Sequence, residues 1–324
     1  MHPDSIINIG NLKIYPYGVC MAVGILACFG FLMFTMWKKK FNEDATDKIL
    51  IIGIVGTGFG IFSAMLFQAT YNFIANPQNG FNLGESMTFI GGLIGGTLCF
   101  LGVYWLYIYV IAPAAKKRAD SWEAEKAEGN GKNRSQFVVT ANKLFQNNMN
   151  ATLTDALPFI PIGIAIAHAF GRLGCFFGGC CYGKPDDIHG VACATGYSKL
   201  LGMYMNGVKV VPLQLYEMAF LLVLGAVMAL LYFKFKLNYN FGVYAVAYGI
   251  WRFIIEFYRG DDRGSFLGTL LSPSQIWSIV MVIVGIGYFF LQYFVLSKHM
   301  KHPELPKSAE PAQTDGEKKT EVTE

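Results

Sequence analysis

Apolar residues run in seven long blocks along this 324-residue chain, at about 16–37, 49–74, 88–112, 153–177, 212–233, 240–258 and 273–296. Each has the length of a bilayer crossing, which takes roughly 20 residues of helix. Charged residues gather between the blocks, at 38–48, 115–143 and 298–324. In lipid the backbone must satisfy its own polar groups, so the blocks are predicted to be helices. Glycine or proline interrupts the second and the fourth. The pattern predicts an all-α integral membrane protein of about seven transmembrane helices. Seven such blocks in one chain argue against buried helices of a large soluble core.

Composition strengthens that picture. Hydrophobic residues make up 53% of the chain and charged residues only 15%, against about a quarter charged in a soluble domain. With the N-terminus outside, cytoplasmic segments carry 18 of the 26 Lys and Arg residues, the bias that insertion favours. The expected orientation is therefore N-terminus outside and C-terminus cytoplasmic. Lys38, Lys39 and Lys40 follow the first apolar block instead of preceding it, so that block reads as a retained anchor and not as a cleaved signal peptide. Residues 1–300 are expected to form one membrane domain with a cytoplasmic connector at 115–150. Its charged part is 116–134, and 135–150 reads as an interfacial helix. Residues 301–324 are rich in Pro, Glu, Lys and Thr and read as a disordered cytoplasmic tail. A membrane location is expected, and no nucleic-acid partner is expected.

Ionisable residues inside a span are costly and point to function. His168 and Arg172 are four residues apart in the fourth block, with Cys175 three further on, which puts all three on one helix face. In the sixth, Arg252, Glu256 and Arg259 follow the same spacing. In the fifth, Gln214 and Glu217 share a face near its start, with Tyr216 beside them. The expected orientation brings the three stripes to one depth, in the outer half of the bilayer. Arg252 and Glu256 could simply neutralise each other. Arg172, however, has no acid at helical spacing. Two arginines with one or two glutamates suit a bound anion, because the guanidinium fork binds phosphate bidentately and stays charged in low dielectric. Gly171, Gly174, Gly178, Gly179 and Gly183 leave room for close approach by a ligand or a second helix.

Seven cysteines are present. Cys20, Cys28 and Cys99 fall within spans and read as small apolar fillers. Cys175, Cys180, Cys181 and Cys193 cluster near the outer face, where disulfides are permitted; pairing stays open. As a zinc motif, Cys175-x4-Cys180-Cys181 lacks the usual gap of two to four residues on both sides, with His168, His189 and Cys193 as further ligands. No metal and no cofactor are expected.

Five stretches, in order, resemble the prolipoprotein diacylglyceryl transferase family. GRLGCFFGGCCYG is similar to its signature, YPYGVCMAVG to its first-helix Tyr-Gly motif and FIGGLIGG to its third-helix glycine motif. PLQLYE and YGIWRFIIEFYRGDD match two further motifs. The resemblance implies transfer of diacylglycerol from phosphatidylglycerol to the lipobox cysteine of a preprolipoprotein signal peptide, with a thioether formed and glycerol phosphate released. It implies that Arg172 and Arg252 hold the phosphate, that Tyr17 and Glu256 sit in the polar cavity, and that Gly183 closes the signature. Glu217, Arg259, Gly174 and Cys175 complete the expected substrate-binding set, alongside membrane lipid.

Three departures stand out. The family's third-helix histidine is Ile90 here. Cys175 and Cys180 replace its Asn and Glu, and no Arg occupies the second helix. His168 is therefore expected as the catalytic base with Tyr17 and Glu256; a packed histidine capped by a neighbour is the other reading. Cys175 and Cys180 are expected to fill space and donate weakly. A divergent relative that binds phospholipid, or moves another group with its cysteines, is the alternative function.

Overall fold

The computed structural model describes residues 7–9, 12–75, 77–83, 89–128, 135–192, 197–198, 203–204, 207–260 and 271–296. The tail at 301–324, Cys193 and residues 129–134 of the connector lie outside them. Ten helices occur among the described residues: α1 (Pro16–Lys38), α2 (Glu43–Ala75), α3 (Phe89–Leu106), α4 (Ala112–Ala127), α5 (Gln136–Phe145), α6 (Leu153–Ala156), α7 (Ile160–Phe177), α8 (Leu213–Phe233), α9 (Asn240–Ile255) and α10 (Pro273–Leu291). Six stretches are long and apolar enough to cross a membrane: Pro16–Lys38, Glu43–Ile74, Ile94–Ala127, Ile160–Phe177, Leu213–Phe233 and Pro273–Phe294. The protein is an all-α, multi-pass membrane protein. The sixth expected span is shorter than the others, because α9 has only 16 residues before a 3-10 turn at Glu256–Tyr258. A short antiparallel hairpin, Ile7–Ile9 with Leu12–Ile14, precedes α1; the apolar pattern does not signal it.

The chain divides into two compact units, residues 29–156 and residues 1–28 with 157–324. In the first, α2 and α3 pack backbone against backbone. A Cβ on Gly60 would lie 3.1 Å from the Gly92 carbonyl oxygen, and one on Gly96 would lie 3.2 Å from Gly60 Cα. Ser63 Oγ donates to the Gly91 carbonyl at 2.9 Å. Small residues four apart let two helices approach this closely in lipid, which is why the glycines of α2 do not break it. From α3 the helix continues through a π turn at Tyr107–Ile111 into α4. The charged residues 116–127 thus extend a helix instead of leaving it. Ala, Lys and Glu there are strong helix formers, and the apolar pattern alone does not count them. Behind them, α5 is tied to α4 where Asn142 Nδ2 donates to the Ala115 carbonyl at 3.0 Å.

In the second unit, α7 carries the signature. Pro158 and Pro161 mark the break between α6 and α7, and a proline in the first turn of α7 costs no hydrogen bond. The start of α1 lies against α7: a Cβ on Gly24 would meet Phe170 Cβ at 2.7 Å. On α9, Gly242 and Gly249 pack against α10, where added Cβ atoms would lie 3.1 Å from the Gly285 carbonyl and 2.9 Å from the Ser278 carbonyl. Asn240 anchors the start of α9, its Nδ2 donating to Pro158 O at 2.8 Å and Met228 O at 3.1 Å.

Candidate active site

Two rungs join α7 to α9. His168 Nδ1 is 3.0 Å from Tyr244 Oη, and Arg172 Nη2 donates to Tyr248 Oη at 3.1 Å. Both helices step by four residues between rungs, so one helical turn on α7 faces one on α9. Glu217 of α8 completes the second rung. Its Oε1 is 2.9 Å from Arg172 Nη2 and accepts from Tyr248 Oη at 2.8 Å. Glu217 is only 2% exposed, so the carboxylate is held by partners and not by water. The acid that α7 lacks at helical spacing comes from the next helix. The Tyr248 ring also stands edge-on to His168, with centroids 4.7 Å apart.

One turn further along α9, Arg252 Nη2 meets Glu256 Oε2 at 2.8 Å and donates to Ser274 Oγ at 2.9 Å. Ser272 Oγ donates to Glu256 Oε1 at 2.8 Å. Ser272 also caps α10 through a capping box with Gln275, so one residue both starts that helix and orients the acid. The expected single face of Arg252, Glu256 and Arg259 is corrected in part. The helix ends at Ile255, and Arg259 is extended, in a β-bridge with Gly183. It still approaches Glu256, Nε to Oε2, at 3.7 Å.

Gly183 is a crossing point of the backbone. Its N–H donates to the Val211 carbonyl at 2.9 Å, and a Cβ there would lie 2.8 Å from Val211 Cβ and 2.9 Å from Leu213 Cγ. The side-chain space is filled, so the residue serves the loop before α8. Gly174 has a comparable reason: a Cβ would come within 3.2 Å of the Tyr17 ring. Tyr17 itself, at the start of α1, is 41% exposed.

Three guanidinium groups, Arg172, Arg252 and Arg259, share this region with two carboxylates, Glu217 and Glu256. Two buried donors, Arg172 Nε and Arg252 Nη1, have no hydrogen-bond partner among the described residues. Leaving a buried charged donor unmet is costly, and an anionic acceptor beside each would satisfy it. Tyr248 and His168 each lie within electrostatic reach of both Arg172 and Arg252.

Beyond α7 the chain turns back on itself. Gly178 N–H donates to the Gly174 carbonyl at 2.8 Å and Cys180 N–H to the Cys175 carbonyl at 3.2 Å. Gly179 and Cys181 both take positive φ, +67° and +64°. Gln214 Nε2 pins the turn by donating to the Cys180 carbonyl at 2.6 Å. As a result the sulfurs of Cys175, Cys180 and Cys181 lie within 4.8 Å of one another. Linear spacing argued against such a group; the reversed backbone brings it about. His168 and His189 stand apart from it. The first bonds Tyr244, and the second is 3.5 Å from Asp186.

A family model described as prolipoprotein diacylglyceryl transferase matches residues 4–114 and 136–291. The chain belongs to the prolipoprotein diacylglyceryl transferase family. It is 30% identical over 288 residues to the phosphatidylglycerol–prolipoprotein diacylglyceryl transferase of Clostridium tetani, covering 88% of this chain and 95% of the relative. It is 28% identical over 287 residues to the protein of that name from Dehalococcoides mccartyi, covering 87% and 90%. A Clostridium perfringens relative named phosphatidylglycerol–prolipoprotein diacylglyceryl transferase 2 is 26% identical over 290 residues, covering 86% and 91%. Within this transferase family pattern, the α7, α8 and α9 motifs supply every member of the Arg172–Tyr248–Glu217 group. Tyr244, Tyr248, Ser272 and Ser274 are missing from the expected site set, although Ser-Pro-x-Gln ahead of an apolar run is a readable helix start.

Proposed function

We propose that the chain transfers the diacylglyceryl group of phosphatidylglycerol to the lipobox cysteine thiol of preprolipoproteins, at the site around Arg172 and Arg252. The carrying observation is the pair of buried donors, Arg172 Nε and Arg252 Nη1, that have no hydrogen-bond partner among the described residues. A phosphate seated there accepts from both. As the glyceryl C–O bond breaks, negative charge builds on the departing phosphate, and fixed donors in a water-poor site stabilise it without rearranging. Glu217, Tyr248, Glu256 and Ser274 hold the two guanidinium groups in place. Tyr17 and Glu256 line the route to the reacting carbon, with Glu217, Arg259, Gly174 and Cys175 around the headgroup. Gly183 shapes the loop that closes it.

The acceptor S–H bond breaks as the C–S bond forms, and His168 takes the proton. A neutral imidazole is suited to that step at neutral pH, and its contact with Tyr244 fixes the ring. The exposed aromatic and aliphatic surfaces of α8 and α9, such as Val223 and Ile254, face the acyl chains of the bilayer. We place the N-terminus and the 184–211 loop outside and the connector cytoplasmic, in a bacterial plasma membrane. In a strain depleted of its own transferase, expression of this chain is expected to restore lipoprotein maturation, and Arg172→Ala to abolish the rescue at equal protein level. Full rescue by Arg172→Ala would overturn the assignment.

A further inference from the structure

The three sulfurs at and just beyond the end of α7 are arranged as ligands. Around a tetrahedral Zn2+ with bonds of about 2.3 Å, sulfurs sit roughly 3.8 Å apart. Those of Cys175, Cys180 and Cys181 already lie within 4.8 Å of one another, so each pair closes by about 1 Å at most. The group comes from a turn with two positive-φ residues, one of them the non-glycine Cys181, a conformation that L residues adopt only when surroundings impose it. Gln214 of α8 supplies that constraint. Cys180 is exposed and the other two are half-buried, which gives a cation an entry side.

We propose that Cys175, Cys180 and Cys181 form a three-thiolate site for Zn2+, whose fourth position takes the thiol of the acceptor peptide. Soft thiolate ligands select thiophilic metals. Three protein ligands with one open position are the arrangement of a reactive zinc site and not of a closed structural one. Among the described residues no further His, Cys, Asp or Glu joins the group. A thiol that coordinates zinc loses its proton readily, relayed through water to His168, and remains a nucleophile for the glyceryl carbon. The metal site stands on geometry alone; only its fourth ligand rests on the transferase reading.

The test is metal analysis of the detergent-purified, reduced full chain after dialysis against a weak chelator. About one Zn2+ per chain is expected. Cys175→Ser, Cys180→Ser and Cys181→Ser should each lose most of it, whereas Cys99→Ser keeps it. Co2+ loaded in place of Zn2+ should show sulfur-to-metal charge-transfer absorption that changes when a lipobox peptide is added, but not when its cysteine is replaced by serine. Should a serine variant fail to fold, Cys175→Ala with Cys180→Ala removes two ligands and is expected to be metal-free. Wild-type protein that holds no stoichiometric zinc, or holds a disulfide among the three instead, overturns the site. Loss of zinc in Cys193→Ser, or a spectrum indifferent to the peptide thiol, overturns the open position. Zinc-stripped protein that transfers at full rate rejects the acceptor role and leaves the transferase reading standing. Zinc-loaded protein that never transfers rejects that reading and leaves the metal site standing.

Discussion

Arg172 on α7 and Glu217 on α8 are paired at 2.9 Å, with the carboxylate almost wholly shielded. Removing one partner of a buried pair strands the other charge and typically costs about 3–5 kcal/mol. Glu217→Ala is therefore expected to lower both the melting temperature and transfer. Glu217→Gln, which retains the size and one acceptor, should lose less. Thermal unfolding in detergent beside transfer assays checks the order; equal stability of Glu217→Ala and wild type would show that the pair is not holding Arg172.

Tyr248 joins the same pair by accepting from one member and donating to the other. Tyr248→Phe keeps the ring against His168 and removes the hydroxyl. Hydrogen bonds to charged groups contribute about 1.5–3 kcal/mol, so transfer should fall at least about tenfold with little change in protein level. An unchanged rate would mean that Glu217 orients Arg172 unaided.

Arg172→Lys and Arg252→Lys keep the charge and lose the fork. Loss of one preorganised donor typically costs about 10²–10³ in rate, and an ammonium cannot meet both the carboxylate and a phosphate oxygen as a guanidinium does. Each variant should be impaired nearly as far as the alanine variant in steady-state transfer with phosphatidylglycerol. Near-normal transfer by either lysine variant would reduce that arginine to a bulk charge.

His168→Gln is expected to abolish turnover while binding of phosphatidylglycerol persists, since glutamine can keep a hydrogen bond to Tyr244 but cannot accept the proton. If lipid binding or folding is lost together with turnover, His168 is a packing residue of the α7–α9 contact.

Lys117→Cys and Lys307→Cys should react with a membrane-impermeant thiol reagent only from the cytoplasmic side, and Leu200→Cys only from outside. Cytoplasmic labelling at 200 would invert the orientation and move the site to the other leaflet.

Much of this was legible in the chain because it depends on local chemistry. Long apolar blocks dictate helices in lipid, and the four-residue steps His168–Arg172 and Arg252–Glu256 place side chains on a face wherever a helix forms. The expected convergence of the α7 and α8 stripes leaves the partner of Arg172 open; Glu217 fills that place in the structure. Tyr244 and Tyr248 escaped notice because a tyrosine in an apolar helix resembles an interfacial aromatic until its polar tip meets a partner. Ser272 and Ser274 act from beyond residues 261–270, at a separation no helical period reports. The short α9 ends where Arg259 must bridge Gly183, a constraint set by another part of the chain. The thiol group required positive φ at Cys181, against the preference of that residue type, so spacing alone pointed away from it.

The measurement closest to the central claim is transfer by the purified chain, in vesicles of phosphatidylglycerol labelled in its glycerol headgroup and in its acyl chains, to a lipobox peptide. Acyl label should appear on the peptide cysteine in a thioether, with labelled glycerol phosphate released in equal amount and neither product formed by Arg172→Ala. Peptide modification without glycerol phosphate release, or full release by Arg172→Ala, would contradict the proposal that the arginine pair holds the departing phosphate.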